Sequence, residues 1–451
     1  MEQNSPDEHA MKRQLYTQLI SWRDSNTRKP LLLKGARQVG KSYLLEIFGK
    51  NEFEHTHIFN FEQNPNLSKI FQMDLVPERI LGELSLAAGK SINRENDLVI
   101  FDEIQECPKA LTSLKYFNEE MKELALCSAG SLLGVKLSKE SFPVGKVEFL
   151  HLYPMTFQEF LLAVGEDLLM EYFVAAEPKN PLPEIAHDML WQLMKEYFIT
   201  GGMPQVVEKY KQLRTTPVEA RNSVRKLQQA LIESYYKDFA KHAGNNNSMH
   251  IVSVFENIPR QLSKNMDGSV KRYRFKDVIQ KKKSFVELQG PIDWLVQAGL
   301  AFKVKVCNRA ELPIEAFCKA NTFKLFVLDV GLLGCMLDLP VEAIVNEDYG
   351  ITKGYFAENF VAQELIAAGV RNLYSWTERN SEIEFLKICG EKIIPFEVKA
   401  GTHTQAKSLQ QYIQKYSPEE AIIFSKKNIG RKENSIVRNV PLYMAGVPST
   451  V

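Results

Sequence analysis

Leu31-Leu32-Leu33 is a short apolar run that opens onto a glycine-rich turn, and Tyr43-Leu44-Leu45-Glu46-Ile47-Phe48 follows with the spacing of an amphipathic helix. A helix beginning at Met11 precedes this unit and ends before Lys29-Pro30. His57-Ile58-Phe59-Asn60-Phe61 alternates as a second strand, and residues 66–92 have a mostly helical pattern. Leu98-Val99-Ile100-Phe101 is the continuous apolar run of a strand buried on both faces, closed by Asp102-Glu103. A helix over residues 110–124 places Leu111, Leu114, Phe117 and Met121 on one face. The strands Leu124-Ala125-Leu126-Cys127-Ser128 and Lys146-Val147-Glu148-Phe149-Leu150-His151-Leu152 complete an α/β pattern. Its alternation of strands and helices predicts a doubly wound parallel sheet.

Beyond residue 160 the periodicity changes. Residues 161–245 read as helices, broken at Gly201-Gly202-Met203-Pro204 and closed by a loop at Asn245-Asn246-Asn247. Between residues 251 and 306 a helix, a short basic helix from Phe275 to Lys281 and another helix lead into the strand Leu300-Ala301-Phe302-Lys303-Val304-Lys305-Val306. With a second strand at residues 323–329, this order suggests a winged helix. The last third shows an amphipathic helix over residues 354–365, strands at residues 374–376, 382–387 and 393–399, a helix near residues 406–416 and a strand at residues 421–424.

The turn after Leu33 carries chemistry. Gly35-Ala36-Arg37-Gln38-Val39-Gly40-Lys41-Ser42 matches G-x-x-x-x-G-K-[ST] at every fixed position, the pattern of a loop whose backbone N–H groups cradle phosphates. Lys41 can reach the β- and γ-phosphates, and the Ser42 hydroxyl can ligate Mg²⁺. Asp102, at the C-terminal end of a parallel strand, is placed to hold the Mg²⁺ shell, and Glu103 to polarise the attacking water. Ser128 or Ser131, just past the neighbouring strand, could sense the γ-phosphate, with Ser131 favoured; Ser131 could equally cap the helix that follows.

Residues 35–42, Leu98 to Gln105, Gly130-Ser131 and Leu152-Tyr153-Pro154-Met155-Thr156-Phe157-Gln158-Glu159-Phe160 together resemble the prokaryotic AAA-type ATPases that carry a C-terminal nuclease-like domain of unknown function. Their ATPase module is akin to the AAA+ and STAND classes. The resemblance implies ATP and Mg²⁺ as cofactors. The family usually has Arg where this chain has Lys146 after Gly145, and a lysine cannot copy the bidentate phosphate geometry of an arginine finger. The helix–strand order of the last third, with Glu384 on one strand and Glu397-Val398-Lys399 on the next, resembles the PD-(D/E)xK nuclease fold. Such a site would use Glu384 and Glu397 to hold Mg²⁺, Lys399 to activate water and Glu358 as the helix acid. The expected division is an AAA-type P-loop ATPase domain over residues 1–160, a helical region over 161–245, a winged-helix-like domain over 246–340 and a nuclease-like domain over 341–451.

Charge adds one candidate surface. Residues 151–208 carry two Lys or Arg against nine Asp or Glu, whereas residues 209–285 carry seventeen against six. The basic block, which includes Lys271-Arg272-Tyr273-Arg274 and Lys281-Lys282-Lys283, is either a DNA or RNA surface or a set of solvated helix faces. The six cysteines form no C-x-x-C pair, the polar N-terminus is unlike a signal peptide, and no apolar run is long enough to span a bilayer. These features point to a cytoplasmic protein that could oligomerise. Three functions compete: an ATPase that couples ATP use to nucleic-acid engagement, an ATP-dependent protein-interaction switch with an inactive nuclease-like domain, and a metal-dependent nuclease.

Overall fold

The computed structural model describes residues 12–131, 145–262, 272–350, 352–401 and 406–447; Met11 and Lys271 lie outside them. The chain divides into two compact units, Met1–Tyr153 and Pro154–Val451.

In the first unit, helix α1 (Leu15–Arg23) leads to β1 (Leu31–Lys34), α2 (Lys41–Glu52), β2 (His55–Asn60), α3 (Pro77–Ala88), β3 (Asp97–Asp102), α4 (Pro108–Glu120), β4 (Ala125–Gly130) and β5 (Glu148–His151). Among the described residues these strands form one parallel sheet in the order β2-β3-β4-β1-β5. The chain leaves β1 for β2 on one side and reaches β5 on the other, so the strand order reverses beside β1. Open α/β sheets bind ligands at the C-terminal ends of their strands at such a point. The register lines up Asn60 with Asp102, and Lys34 with both Gly130 and His151, along that one edge. Every residue of β3 and β4 is buried, as their apolar runs require. Phe101 is the hub of the layer on one face, in edge-to-face contact with Phe61 and Phe71 at 5.7 Å each and with Phe117 at 6.4 Å.

The second unit starts with helices α5 (Phe157–Ala163), α6 (Asp167–Ala175), α7 (Glu184–Thr200), α8 (Pro204–Leu213), α9 (Pro217–Ala243), α10 (Asn245–Leu262) and α11 (Phe285–Gln297). Strands β6 (Ala301–Cys307) and β7 (Cys318–Val327) follow, then α12 (Val330–Met336), α13 (Val341–Val345) and α14 (Thr352–Ala367). The chain ends in β8 (Tyr374–Glu378), β9 (Ser381–Cys389), β10 (Lys392–Val398), α15 (Lys407–Tyr416), β11 (Ala421–Ser425), β12 (Gly430–Arg431) and β13 (Val437–Pro441). Among the described residues, β6 to β13 make one mixed sheet in the order β12-β13-β11-β10-β9-β8-β6-β7. The β6–β7 hairpin, read from the sequence as a wing, therefore continues this sheet through the parallel pairing of β6 with β8.

Three local readings are corrected. No helix forms over Phe275 to Lys281: Asp277 and Lys281 both have positive φ, which a right-handed helix cannot hold, and Ile279 instead bridges Lys282. Asn245-Asn246-Asn247 begin α10, and the break falls one residue earlier, at Gly244 with its φ of +75°. Helix α14 is not amphipathic, because Tyr355 to Leu365 are all buried.

Candidate active site

The glycine-rich turn joins β1 to α2. Gly35 has φ +156°, and a Cβ there would lie 2.2 Å from the Leu152 carbonyl oxygen, so only glycine fits. Gln38 and Gly40 also take positive φ, +66° and +93°, turning the chain so that α2 starts at Lys41. The amide N–H groups of that first turn point towards the strand ends, where helix N-termini attract anions. Arg13 braces the turn from outside: its guanidinium donates to the Val39 carbonyl at 2.9 Å and to the Tyr153 carbonyl at 2.6 Å.

Lys41 is 6% exposed and donates to the Gly35 and Ala36 carbonyls at 3.0 and 2.8 Å, so its ammonium is held over the turn. Burial pulls it down from its ordinary value to about 8, against the opposing pull of Glu103 and Asp102. The Ser42 hydroxyl donates to Asp102 Oδ1 at 2.8 Å, and Asn60 Nδ2 donates to the other carboxylate oxygen at 2.9 Å. A hydroxyl and a carboxylate oxygen in contact, both hard donors, fit a Mg²⁺ ion held with nucleotide phosphates. Glu103 is next in the chain, with φ +49°, and accepts a hydrogen bond from Gln105 Nε2. Burial raises its carboxyl above the ordinary range, while the Gln105 hydrogen bond and Lys41 hold it down. Arg37 lies 3.9 Å from Glu62 at the rim. Ser128 and Ser131 are both buried at the end of β4, and the Ser128 hydroxyl has no hydrogen-bond partner among the described residues.

The motif residues 35–42, Asp102, Glu103 and Ser131 thus sit on one unit at one sheet edge. Sequence reasoning missed Asn60, Arg13 and Gln105. Asn60 lay inside the strand read as His57 to Phe61, and its place beside Asp102 follows only from β2 ending at Asn60 and pairing with β3; Arg13 carried no signal, since its partners are backbone carbonyls far along the chain. A separate trio, Glu54, His55 and Asp97, lies at the opposite end of β2 and β3. There Asp97 is already engaged by His55, His57 and the Asn93 N–H.

In the second unit, Glu358, Glu384 and Glu397 are buried. The pairing of Phe396 with Phe385 sets Glu397 opposite Glu384 on the adjacent strand. Lys399 Nζ contacts Glu397 Oε1 at 2.5 Å, and Glu384 Oε2 accepts from the Val398 N–H at 3.2 Å. Burial raises the Glu397 carboxyl, with Lys399 opposing. Two members were missed. Lys324 of β7, 3% exposed, places its ammonium 3.6 Å from Glu358 Oε2 and against Glu382. Glu382 was legible, since period-2 alternation puts it on the face of Glu384.

Residues 27–161 match a family model described as an AAA domain, and this segment is an AAA-type P-loop domain. Residues 192–343 and 353–444 match two families described only as domains of unknown function. No curated protein matches the chain. Among solved structures, the Thermotoga maritima RuvB Holliday junction branch migration motor is 14% identical, with a TM-score of 0.30 over 65% of this chain and 89% of that one. The Aeropyrum pernix ORC1 protein in complex with DNA is 11% identical, with a TM-score of 0.29 over 75% and 94%. At such scores nothing is carried over from either protein. No helix among the described residues is long and apolar enough to cross a membrane.

Proposed function

We propose that the chain is a Mg²⁺-dependent ATPase that couples ATP binding and hydrolysis to nucleic-acid engagement through residues 209–285 and the C-terminal region. The observation that carries the ATPase reading is the contact of the Ser42 hydroxyl with Asp102 Oδ1 at 2.8 Å, one residue from both Lys41 and Glu103. Residues 35–42 cradle the phosphates, and Lys41 exchanges two backbone carbonyls for the β- and γ-phosphate oxygens. Ser42 and Asp102 would hold Mg²⁺, which when bound would supply positive charge to the phosphates. Glu103 takes the proton of the attacking water, and Ser131 contacts the γ-phosphate. Lys41→Ala should abolish ATP binding, whereas Glu103→Gln should bind ATP normally and lose turnover by about 10²-fold or more. Unchanged hydrolysis in the Glu103 variant removes it as the base.

A second reading, an ATP-dependent switch whose nuclease-like domain does not cut, is favoured by Lys324, an ammonium lodged between Glu358 and Glu382 where a metal site needs a cation. Incubation with DNA or RNA and Mg²⁺ or Mn²⁺ separates the readings. Cutting that Lys399→Ala abolishes supports the nuclease, with Glu358, Glu384 and Glu397 at its metal. ATPase stimulation by nucleic acid without cutting, with an affinity that falls steeply with salt, supports coupling through the basic block, and no response to either supports a protein-directed switch.

A further inference from the structure

We propose that Gln105 is a positioning residue for hydrolysis, its side-chain amide clamping one carboxylate oxygen of Glu103 so that the other is aimed at the nucleotide. This rests on the ATPase reading and assigns a role to a residue outside the motif.

Glu103 leaves β3 in the left-handed region, at φ +49° and ψ +44°, a conformation that a non-glycine residue adopts only when its surroundings impose it. The imposing elements are visible. Ile104 is fully buried in the aromatic layer around Phe101, and a single turn of 3₁₀-helix, Ile104–Glu106, returns the chain towards the strand end. Glu103 and Gln105 flank that anchor, so their side chains meet at the same edge. Gln105 is 7% exposed, and its Nε2 donates to Glu103 Oε2.

The orientation of the amide is chemically fixed. Only its nitrogen carries hydrogens, and a carboxylate can only accept them. The same orientation leaves Gln105 Oε1 buried with no hydrogen-bond partner among the described residues. A side chain kept merely to satisfy local hydrogen bonds would not be expected to bury its acceptor unmade, because such groups are rare in native proteins. The donor end is committed to Glu103. A base that must meet a water in line with the γ-phosphate gains from losing the freedom to swing about its own torsions.

The test uses full-length protein in four forms: wild type, Gln105→Met, Glu103→Gln and the double variant. Methionine keeps the length and volume of glutamine and removes the donor. Gln105→Met should lower kcat by about tenfold or more while KM and the measured ATP affinity stay within about twofold. In the Glu103→Gln background the same change should cause no further loss in single-turnover rate, because Gln105 acts through Glu103. Gln105→Leu, apolar and close in volume, also lacks a donor, should repeat the loss and serves if the methionine variant does not fold. A Gln105→Met enzyme with wild-type kcat, an equal fold-loss in both backgrounds, or a loss confined to ATP affinity each overturns the clamp while leaving the ATPase reading standing. A wild type that does not hydrolyse ATP, or a Glu103→Gln variant that hydrolyses it normally, overturns both.

Discussion

The residues of the proposed nucleotide site are ones whose chemistry cannot be supplied by neighbours of similar size. Gly35 shows this sharply. A methyl group at that position would sit 2.2 Å from the carbonyl oxygen of Leu152, the residue just past β5 whose own N–H donates to the Lys34 carbonyl at 2.8 Å, and φ is +156°. Gly35→Ala should therefore destabilise the first unit by about 1–3 kcal/mol and weaken ATP binding at the same time, because the turn can relieve the clash only by moving. Binding measured by titration with the protein still folded separates the two effects; an alanine variant with wild-type ATP affinity would show that the turn tolerates the shift. Gly35, Lys41, Ser42, Asp102 and Glu103 were all legible in the sequence, since each belongs to a local pattern with a stated chemical reason. Arg13 and Lys324 were not. Arg13 meets carbonyls 26 and 140 residues away, and Lys324 meets carboxylates 34 and 58 residues away, so neither leaves a trace in local spacing.

Elements were read well where burial follows period and poorly where polar side chains go inside. The parallel strands β3 and β4 announced themselves as unbroken apolar runs. Helix α14 misled, because Glu358, Asn359, Gln363 and Glu364 suggested a wet face, yet all four are buried. They are tolerated because each meets a backbone or side-chain partner from another element. Asn359 behaves like a strand residue: its Oδ1 accepts from the Val327 N–H at 2.8 Å and its Nδ2 donates to the Val327 carbonyl at 2.9 Å. Gln363 accepts from the Val330 N–H at 3.0 Å and donates to the Tyr197 hydroxyl at 2.6 Å. Asn359→Ala should leave both Val327 backbone groups buried without partners and cost the second unit about 2–4 kcal/mol in chemical denaturation. A cost below about 0.5 kcal/mol, the scale of a neutral surface change, would show that water replaces the amide.

At the scale of the whole molecule, the sequence pointed to Glu358, Glu384 and Glu397 but not to Glu364 and Asp329, two further carboxyl groups buried inside the second unit. Glu364 is the clearest case. Its Oε1 accepts from the Phe157 N–H at 3.0 Å, and burial, aided by nearby Glu159, pushes its carboxyl up to about 8. Asp329, which accepts from the Gly202 and Leu332 N–H groups, is pushed by burial to about 6. For Glu364 the native state keeps a proton that the unfolded chain releases near the ordinary glutamate value, so between about pH 4.5 and 8 the native state binds more protons than the unfolded one. Its contribution is thus fully present below that window, falls as pH rises and is lost through pH 8, a swing of roughly 3–5 kcal/mol for an ideally isolated group. Glutamine at this position keeps the acceptor for Phe157 and cannot ionise. The difference in urea-unfolding stability between Glu364→Gln and wild type should move in favour of the variant as pH rises from 5 to about 8, with Asp329 common to both and cancelling. Parallel stability curves would mean that Glu364 is already ionised in the folded protein and that a cation, not a proton, neutralises it.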